Sequence, residues 1–226
     1  GVVPALDYLT ASNRKSLGDD VAAFDNGELN AEGRNVVVVG GGDTAMDCVR
    51  TAIRQNAKSV TCLYRRDRAN MPGSQREVAN AEEEGVVFKW LSAPQAFLGN
   101  DQVRAVQAQK IHLGQPDATG RQVPQIIDGS SHEIVADLVI KALGFDPEEL
   151  PVMFDEPQLE VSRWGTIGID WQTMMTSLPG VFAAGDIVRG ASLVVWGVRD
   201  GRDAADAIHA YITAQSDAPR VAAASA

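Results

Sequence analysis

The fold of this 226-residue chain is decided by the stretch Val36-Val37-Val38-Val39-Gly40-Gly41-Gly42-Asp43-Thr44-Ala45. The apolar, β-branched run from Asn35 to Val39 predicts a strand that is buried on both faces. Three glycines then form a turn, and Asp43 is predicted to be the N-cap of a helix. Residues 44–55 carry their apolar side chains on one helical stripe. A buried strand, a glycine turn and a helix in this order predict a parallel α/β sheet.

The glycine turn also fits the nucleotide-binding fingerprint G-x-G-x-x-A, with Gly40, Gly42 and Ala45 at its fixed positions. The first glycine permits the tight turn, the second lets the backbone approach a pyrophosphate, and the alanine lets the helix pack against the strand. The helix N-terminus offers N–H groups and a positive dipole end to the phosphates. This context favours dinucleotide binding, and the alternative is a tight strand-to-helix turn without a ligand.

Two arginines, Arg65 and Arg66, follow the next predicted strand, Ser59–Tyr64. A site that prefers NAD has a carboxylate about 20 residues beyond the glycines, where it accepts a hydrogen bond from the ribose 2′-hydroxyl. Two guanidinium groups fit a 2′-phosphate instead, by charge and by geometry. Asp67 comes one residue late for the carboxylate role and could instead pair with an arginine. The pattern therefore favours NADP(H), and the alternative is a solvated basic loop.

The middle of the chain adds a third strand and then changes character. Ser74-x-x-Glu77 is a capping box that predicts a helix ending at Gly85, and Val86–Trp90 predicts the third parallel strand. From about 95 to 135, short strand patterns alternate with turn residues, which indicates an antiparallel excursion from the parallel sheet. The strands predicted there are Val103–Val106, Gln109–Leu113 and Gln122–Ile127.

The last part of the chain returns to apolar strands. Val135–Leu143 predicts one strand, and short strands are predicted within Leu159–Ile169. Val181–Ala184 predicts a further strand that ends in a Gly-Asp turn, and a final helix is predicted from about 191 to 214. Taken alone, this Gly-Asp turn is an ordinary capped connection between a strand and a helix. A carboxylate in such a turn can also face a sugar-like chain of hydroxyls.

Composition excludes several classes of protein. The hydrophobic fraction is 45%, which is enough for a packed core, so a disordered chain is excluded. The chain has 20 Lys and Arg against 30 Asp and Glu, a net charge of −10, and so lacks the basic surface that nucleic-acid binding requires. No apolar run approaches the roughly 18 residues of a membrane span. Neither nucleic acid nor a membrane is an expected partner.

The two cysteines, Cys48 and Cys62, restrict the redox chemistry. Two thiols cannot ligate an Fe–S cluster or a four-cysteine zinc site without further ligands, so no metal site is expected. Their spacing is not that of a C-x-x-C redox motif. We expect both to be buried, free thiols, which suit a reducing cytoplasm.

A family resemblance emerges when the motifs are read in order. They resemble the second half of flavoproteins in which an NAD(P)H domain is inserted into an FAD domain. The similarity is closer still to the small (β) subunits of bacterial NADPH-dependent glutamate synthases. The resemblance implies a Rossmann-like parallel sheet with an antiparallel excursion, plus the C-terminal piece of an FAD-binding Rossmann-like domain. The stretches that carry it are Pro4–Leu9, Val39–Cys48, Tyr64–Asp67, Met71–Ser74, Ala142–Phe145, Val181–Asp186, Leu193–Val195 and Gly201–Ala205.

The resemblance also implies roles for individual residues. In the family, NADPH passes a hydride to FAD, and electrons then leave through Fe–S clusters. They reach an FMN-containing large subunit that makes glutamate from glutamine and 2-oxoglutarate. No protein acid or base is required for the hydride step, so no catalytic residue is expected. By position, the two arginines would hold the 2′-phosphate of NADPH, and the whole NADPH site comprises Gly40, Gly41, Gly42, Asp43, Thr44, Ala45, Arg65, Arg66, Ala142 and Gly144. The FAD site comprises Gly185 and Asp186, near the ribityl–phosphate region. It also includes the backbone N–H groups of Leu193 and Val194, near the flavin ring.

Two features of that family have no counterpart in this sequence: a cysteine-rich Fe–S region and a first G-x-G-x-x-G for the ADP half of FAD. We therefore interpret residues 1–30 as a connector from an absent upstream FAD domain and 31–145 as the NADPH-binding domain. Residues 146–214 would close the FAD-binding domain, and 215–226 would form a flexible tail. We expect NADPH to bind, and FAD to bind weakly or not at all.

The expected partners are the glutamate synthase large subunit and the missing N-terminal Fe–S/FAD region of the same subunit. Two alternatives stay open at this point. One is a related NADPH/FAD reductase subunit, similar to dihydropyrimidine dehydrogenase or to ferredoxin–NADP reductase. The other is a non-catalytic NADP(H)-binding module.

Overall fold

The computed structural model describes residues 1–116 and 122–217. These residues divide into two compact units, one from Gly1 to Gly144 and one that begins at Phe145. In the first unit, the elements in chain order are β1 (Val2–Pro4), α1 (Ala5–Ser16), α2 (Ala22–Asp25), β2 (Asn35–Val39), α3 (Asp43–Arg54), β3 (Ser59–Leu63), α4 (Gln75–Glu83), β4 (Val87–Lys89), β5 (Ser92–Gly99), β6 (Val103–Pro116), β7 (Gln122–Ile126), β8 (His132–Val135) and β9 (Leu138–Lys141).

A five-stranded parallel sheet forms the centre of the first unit, in the order β1-β9-β2-β3-β4. The strand predicted over Asn35–Val39 is β2, and it has the same bounds as the prediction. β2 lies between β9 and β3, so the chain leaves it towards one side of the sheet and later returns on the other. The parallel α/β fold with an antiparallel excursion is therefore confirmed.

The two faces of the sheet pack against different layers, which explains why β2 is apolar throughout. Val36 and Val38 pack on the helical side, where Tyr8 of α1 and Met46 of α3 are fully buried. Val37 and Val39 pack on the other side against Val106 and its neighbours in the antiparallel strands. A strand covered on both faces carries a continuous apolar run, because neither face meets water.

The antiparallel sheet is larger than the sequence predicts. β6 is one strand of 14 residues that pairs with β5, β7 and β8, whereas the sequence predicts two short strands there. Gly114, which follows the predicted strand Gln109–Leu113, also lies within β6. β5 (Ser92–Gly99) is not predicted, because Pro94 and the small residues around it obscure the strand pattern.

The strand predicted over Val135–Leu143 divides into β8 and β9, because the chain passes there from one sheet to the other. β8 pairs with β6, and β9 pairs with β2. At the crossing, the backbone N–H of Ala136 donates to the carbonyl of Arg104, and the backbone N–H of Asp137 donates to the carbonyl of Asn35. The long apolar run therefore spans two layers.

Residues 1–30 contribute to the sheet of the first unit. Val2–Pro4 pair with β9 as an edge strand, and α1 packs against α3. Tyr8 of α1 is completely buried, and its hydroxyl donates to Oε1 of Gln55 over 3.0 Å. The interpretation of this segment as a connector from an upstream domain stays a prediction.

Two helix starts differ in detail from the sequence prediction. Gly42, in extended backbone, is the N-cap of α3, and Asp43 is its first helical residue. Ser74 is the N-cap of α4 as predicted, but its side chain makes no capping hydrogen bond. The capping box does not form, because Glu77 pairs instead with Arg50 of α3.

The described residues of the second unit form helices and loops rather than strands. It contains α5 (Leu150–Met153), α6 (Asp186–Arg189) and α7 (Val194–Asp217). The strand predicted over Val181–Ala184 is reduced to one bridge between Met175 and Phe182, and that within Leu159–Ile169 to one bridge between Val161 and Ile167. Neither segment has a continuous partner strand in the described residues. Of the predicted tail, residues 218–226 lie outside the described residues.

Among the described helices, none combines the length of a membrane span with sufficient apolar character.

Candidate nucleotide-binding site

A cavity of about 570 Å³ opens at the carboxyl ends of β2, β3 and β9. This edge is where the strand order reverses, and open α/β sheets bind ligands at such a switch point. The cavity brings together the glycine turn after β2, the arginine pair after β3 and the turn after β9. Its lining residues are Val39, Gly40, Gly41, Gly42, Thr44, Leu63, Tyr64, Arg65, Arg66, Pro72, Ser92, Ala93, Pro94, Ala142, Leu143 and Gly144.

Each of the three positions in the turn is glycine for a different structural reason. Gly40 has φ +149°, and a β-carbon there would overlap the carbonyl of Ala142, so the tight turn requires glycine. A β-carbon on Gly41 would overlap the ring of Tyr64. At Gly42 a β-carbon would meet no protein atom, so this position faces open space. Gly42 is therefore the place where a ligand can approach the backbone.

The N-terminus of α3 faces this space. Within the described residues, the N–H groups of Gly42, Asp43 and Thr44 have no acceptor, as is usual for the first turn of a helix. Together with the positive end of the helix dipole, they can receive an anion. Ala45 is fully buried under the same turn, where its small side chain lets α3 lie close to the sheet.

The loop after β3 presents two arginines that have no carboxylate partner in the described parts of the chain. Arg68, in the same loop, forms an ion pair with Glu82 over 2.7 Å. The side chains of Arg65 and Arg66 make no such pair, and Nε of Arg66 is buried without a hydrogen-bond acceptor. An orphaned guanidinium donor at a cavity wall is suited to an anionic ligand.

Asp67 pairs with no arginine of the described residues, which corrects the sequence interpretation. Its Oδ1 accepts hydrogen bonds from the backbone N–H and from Nδ2 of Asn70, over 2.9 and 2.7 Å. Asp67 therefore closes a turn at the outer end of the arginine loop. A carboxylate used in this way does not neutralise Arg65 or Arg66.

β5 provides one wall of the cavity, and this wall is not predicted from the sequence. Ser92, Ala93 and Pro94 line the cavity, and the N–H of Leu91 donates to the carbonyl of Arg66 over 3.0 Å. Leu91 has φ +50°, which is uncommon for leucine. No short motif identifies these residues, because they reach the cavity only through the packing of the antiparallel sheet.

In the second unit, two cavities adjoin Asp186, the first residue of α6. One, of about 410 Å³, is also lined by Leu193 and Val194. The other, of about 390 Å³, is also lined by Phe145 and Trp164. Gly185, the N-cap of α6, has φ +80°. The structure thus places Asp186 beside the first turn of α7, where the N–H groups of Leu193 and Val194 have no acceptor among the described residues.

A buried ion pair supports the Gly185-Asp186 turn. Asp200 of α7 is 1% exposed and accepts two hydrogen bonds from Arg189 of α6, over 2.5 and 2.7 Å. The Arg189 side chain, and after it the Gly185 N–H, hold the pKa of the Asp200 carboxyl below its usual range. The same guanidinium lies over the rings of Trp171 and Trp196, at 4.7 and 5.1 Å.

Both cysteines are buried and unpaired, as the sequence predicts. Burial raises the pKa of each thiol to about 12. Neither thiol is therefore ionised near neutral pH, and the Cys62 Sγ donates to the carbonyl of Gly40 over 3.4 Å. Cys62 therefore supports the glycine turn.

Comparison with known proteins matches residues 5–207 to the pyridine nucleotide-disulphide oxidoreductase family. The chain belongs to this family. The match includes the glycine fingerprint, the arginine pair and the Gly185-Asp186 turn. It is consistent with the position of the candidate site at the switch point of the sheet.

Proteins that are similar in sequence to the chain include glutamate synthase small chains. The glutamate synthase [NADPH] small chain of Azospirillum brasilense is 68% identical over 218 residues, which are 96% of this chain and 45% of that protein. The corresponding protein of Escherichia coli K12 is 47% identical over 214 residues, which are 92% of this chain and 45% of that protein. The resemblance found in the sequence is confirmed. The chain spans about half the length of these relatives.

The fold is similar to that of a solved oxidoreductase. FprA from Mycobacterium tuberculosis aligns with a TM-score of 0.74 at 15% identity, over 95% of this chain and 59% of that one. At 15% identity, the comparison shows that the two chains share a fold. The alignment includes residues of both units.

Proposed function

We propose that this chain is the NADPH-binding, electron-input portion of a glutamate synthase small subunit. The observation that carries the proposal is the cavity at the switch point of the sheet. It joins an open glycine turn, a helix N-terminus with free N–H groups and two arginines that pair with no carboxylate in residues 1–116 and 122–217. The similarity to glutamate synthase [NADPH] small chains supports the choice of nucleotide and of enzyme.

NADPH fits the residues of the first unit. Its pyrophosphate would lie over Gly42, against the N–H groups of Asp43 and Thr44, because this is where the backbone is open. Its 2′-phosphate would lie against Arg65 and Arg66, whose charge no carboxylate of the described residues neutralises. An NADH ribose offers a hydroxyl in place of that phosphate and would leave the Nε of Arg66 without an acceptor.

The second unit would supply part of an FAD site. Asp186 would accept from the hydroxyls of the ribityl chain, and the N–H groups of Leu193 and Val194 would face the electron-rich edge of the flavin ring. Only one nucleotide fingerprint is present in the chain. We therefore propose that flavin binds weakly to this chain by itself.

The chemistry belongs to the bound cofactors: NADPH supplies a hydride and flavin accepts it. The residues of this chain bind, orient and select. The helix N-terminus of α3 fixes the pyrophosphate, and the arginine loop fixes the adenosine end. In the whole protein, electrons would continue through Fe–S clusters to a large subunit that forms glutamate from glutamine and 2-oxoglutarate.

Calorimetric titration of the purified chain with NADPH and then with NADH tests the proposal, with the absorbance spectrum recorded for bound flavin. We expect binding that is selective for NADPH and no stoichiometric flavin. Equal affinity for both nucleotides would contradict the assignment of the arginines. Absence of binding would contradict the nucleotide site altogether, and stoichiometric flavin would contradict the expectation of an incomplete FAD site.

A further inference from the structure

Tyr64 lies between the two phosphate-binding features of the proposed site. It is 8% exposed and directly precedes Arg65. Its ring lies against the Cα of Gly41, since a β-carbon at that position would overlap the ring carbons. The ring of Trp90 meets it edge-on, with 6.4 Å between centroids. The position of the ring is therefore fixed from two sides.

The hydroxyl of Tyr64 reaches across the arginine loop. It donates to the carbonyl of Asn70 over 3.1 Å. Asn70 is the residue that Asp67 holds in a closed turn. A buried phenol usually has a hydrogen-bond partner, because an unpaired hydroxyl is costly to remove from water. Here the partner is the outer end of the loop that carries Arg65 and Arg66.

The backbone around Tyr64 fixes the inner end of the same loop. The backbone N–H of Tyr64 donates to the carbonyl of Lys89 in β4 over 3.1 Å, and the carbonyl of Tyr64 accepts from the backbone N–H of Ser92 in β5 over 3.0 Å. Arg65 and Arg66 thus lie between an inner end held by two strands and an outer end held by the phenol. The guanidinium groups themselves have no carboxylate partner in the described residues, so the loop backbone sets where they point.

We propose that Tyr64 is a positioning residue for nucleotide selectivity: through its ring and hydroxyl, it holds the arginine loop in register with the glycine turn. This inference rests on the proposed function, because it takes NADPH to be the ligand. The pyrophosphate and the 2′-phosphate of NADPH are attached to the same adenosine ribose, at its 5′ and 2′ oxygens. A residue that contacts both Gly41 and Asn70 sets the spacing between their two binding sites.

Tyr64→Phe is the test, because it keeps the ring against Gly41 and Trp90 and removes only the bond to Asn70. Tyr8→Phe is the matched control: it removes a buried tyrosine hydroxyl that bonds to Gln55 in the same unit. Dissociation constants are measured for NADPH and NADH. They are also measured for 2′,5′-ADP and 5′-ADP, which probe the adenosine end without a flavin. Thermal unfolding confirms that each variant is folded.

We expect Tyr64→Phe to weaken NADPH and 2′,5′-ADP by about 3- to 10-fold and to change NADH and 5′-ADP little. Tyr8→Phe should leave unchanged the ratio of the NADPH and NADH dissociation constants and that of the 2′,5′-ADP and 5′-ADP constants, although it lowers the melting temperature. If the native chain is selective and Tyr64→Phe keeps that selectivity, or weakens all four ligands equally, the positioning role is wrong while the proposed function stands. A native chain without selectivity for NADPH overturns both.

Discussion

The backbone N–H of Ser74 donates a 2.8 Å hydrogen bond to Oδ1 of Asp43. This bond joins the segment after the arginine loop to the first turn of α3. One residue earlier, the N–H of Gly73 donates to the carbonyl of Gly41 over 2.9 Å. The glycine turn and the arginine loop are thus two parts of one hydrogen-bonded structure. Asp43 has this bridging role instead of the N-cap role that its place in the sequence predicts.

Asp43→Asn and Asp43→Ala separate the charge of this residue from its bridging bond. Asparagine keeps an oxygen for the Ser74 N–H and removes a negative charge beside the proposed pyrophosphate, so we expect NADPH affinity to be kept or increased. Alanine loses the bond, and we expect it to weaken NADPH by about 1 kcal/mol. Calorimetric dissociation constants for the two variants provide the comparison. Equal loss of NADPH affinity in both variants would contradict this expectation and show that the carboxylate charge itself is required, because both variants remove it.

The arginine pair provides a direct test of the choice of nucleotide. Arg65→Glu combined with Arg66→Gln should weaken NADPH by roughly 1.5–3 kcal/mol for each charged hydrogen bond lost, and NADH much less. The matched control is Arg68→Gln, which removes a third positive charge from the same loop, but one already paired with Glu82. The control should leave the ratio of the two dissociation constants unchanged. An equal loss of both nucleotides in the double variant would show that these arginines do not recognise the 2′-phosphate.

Much of the first unit can be predicted from the sequence, because its signals are local. The apolar run of β2, the three glycines and the helical stripe of α3 lie within 20 consecutive residues, 35–54. The position of Arg65 and Arg66 at the end of the next strand follows from the same βαβ pattern. The convergence of these motifs on one cavity then follows from parallel strand order, since all the carboxyl ends meet at one edge.

The remaining features depend on contacts between distant residues. β5 lines the cavity through its pairing with β6, and no periodicity in Ser92–Gly99 reveals this. The capping box at Ser74 and Glu77 is an ordinary signal for a helix start, yet Arg50 of another helix takes up the glutamate. Val181–Ala184 has the composition of a strand but finds one bridge rather than a partner strand. Local propensity cannot predict which partner a segment meets.

Gly41 and Gly42 should respond oppositely to alanine, although they are neighbours in one fingerprint. Gly41→Ala places a methyl group in the ring of Tyr64, so we expect a loss of about 1–3 kcal/mol of unfolding free energy. Gly42→Ala adds a methyl group in open space, so the chain should fold with nearly native stability but lose most of its NADPH affinity. Urea unfolding and calorimetry measure the two quantities separately. Normal NADPH binding by Gly42→Ala would place the pyrophosphate elsewhere in the cavity.

The buried pair of Asp200 and Arg189 predicts how the second unit responds to acid. The pKa of Asp200 is lowered in the folded chain, mainly by Arg189, so its stabilising effect is complete above its unfolded pKa of about 4. The effect is lost as the pH falls through the lower, folded pKa. Asp200→Asn should therefore destabilise the unit at neutral pH and make its stability depend less on pH below about 4.

The control Asp203→Asn removes an exposed carboxylate that lies 3.6 Å from Arg199, and it should change neither the stability nor its pH dependence. The fluorescence of Trp171 and Trp196, which stack on Arg189, reports the transition. An acid transition in Asp200→Asn as steep as that of the native chain would show that another carboxylate controls it.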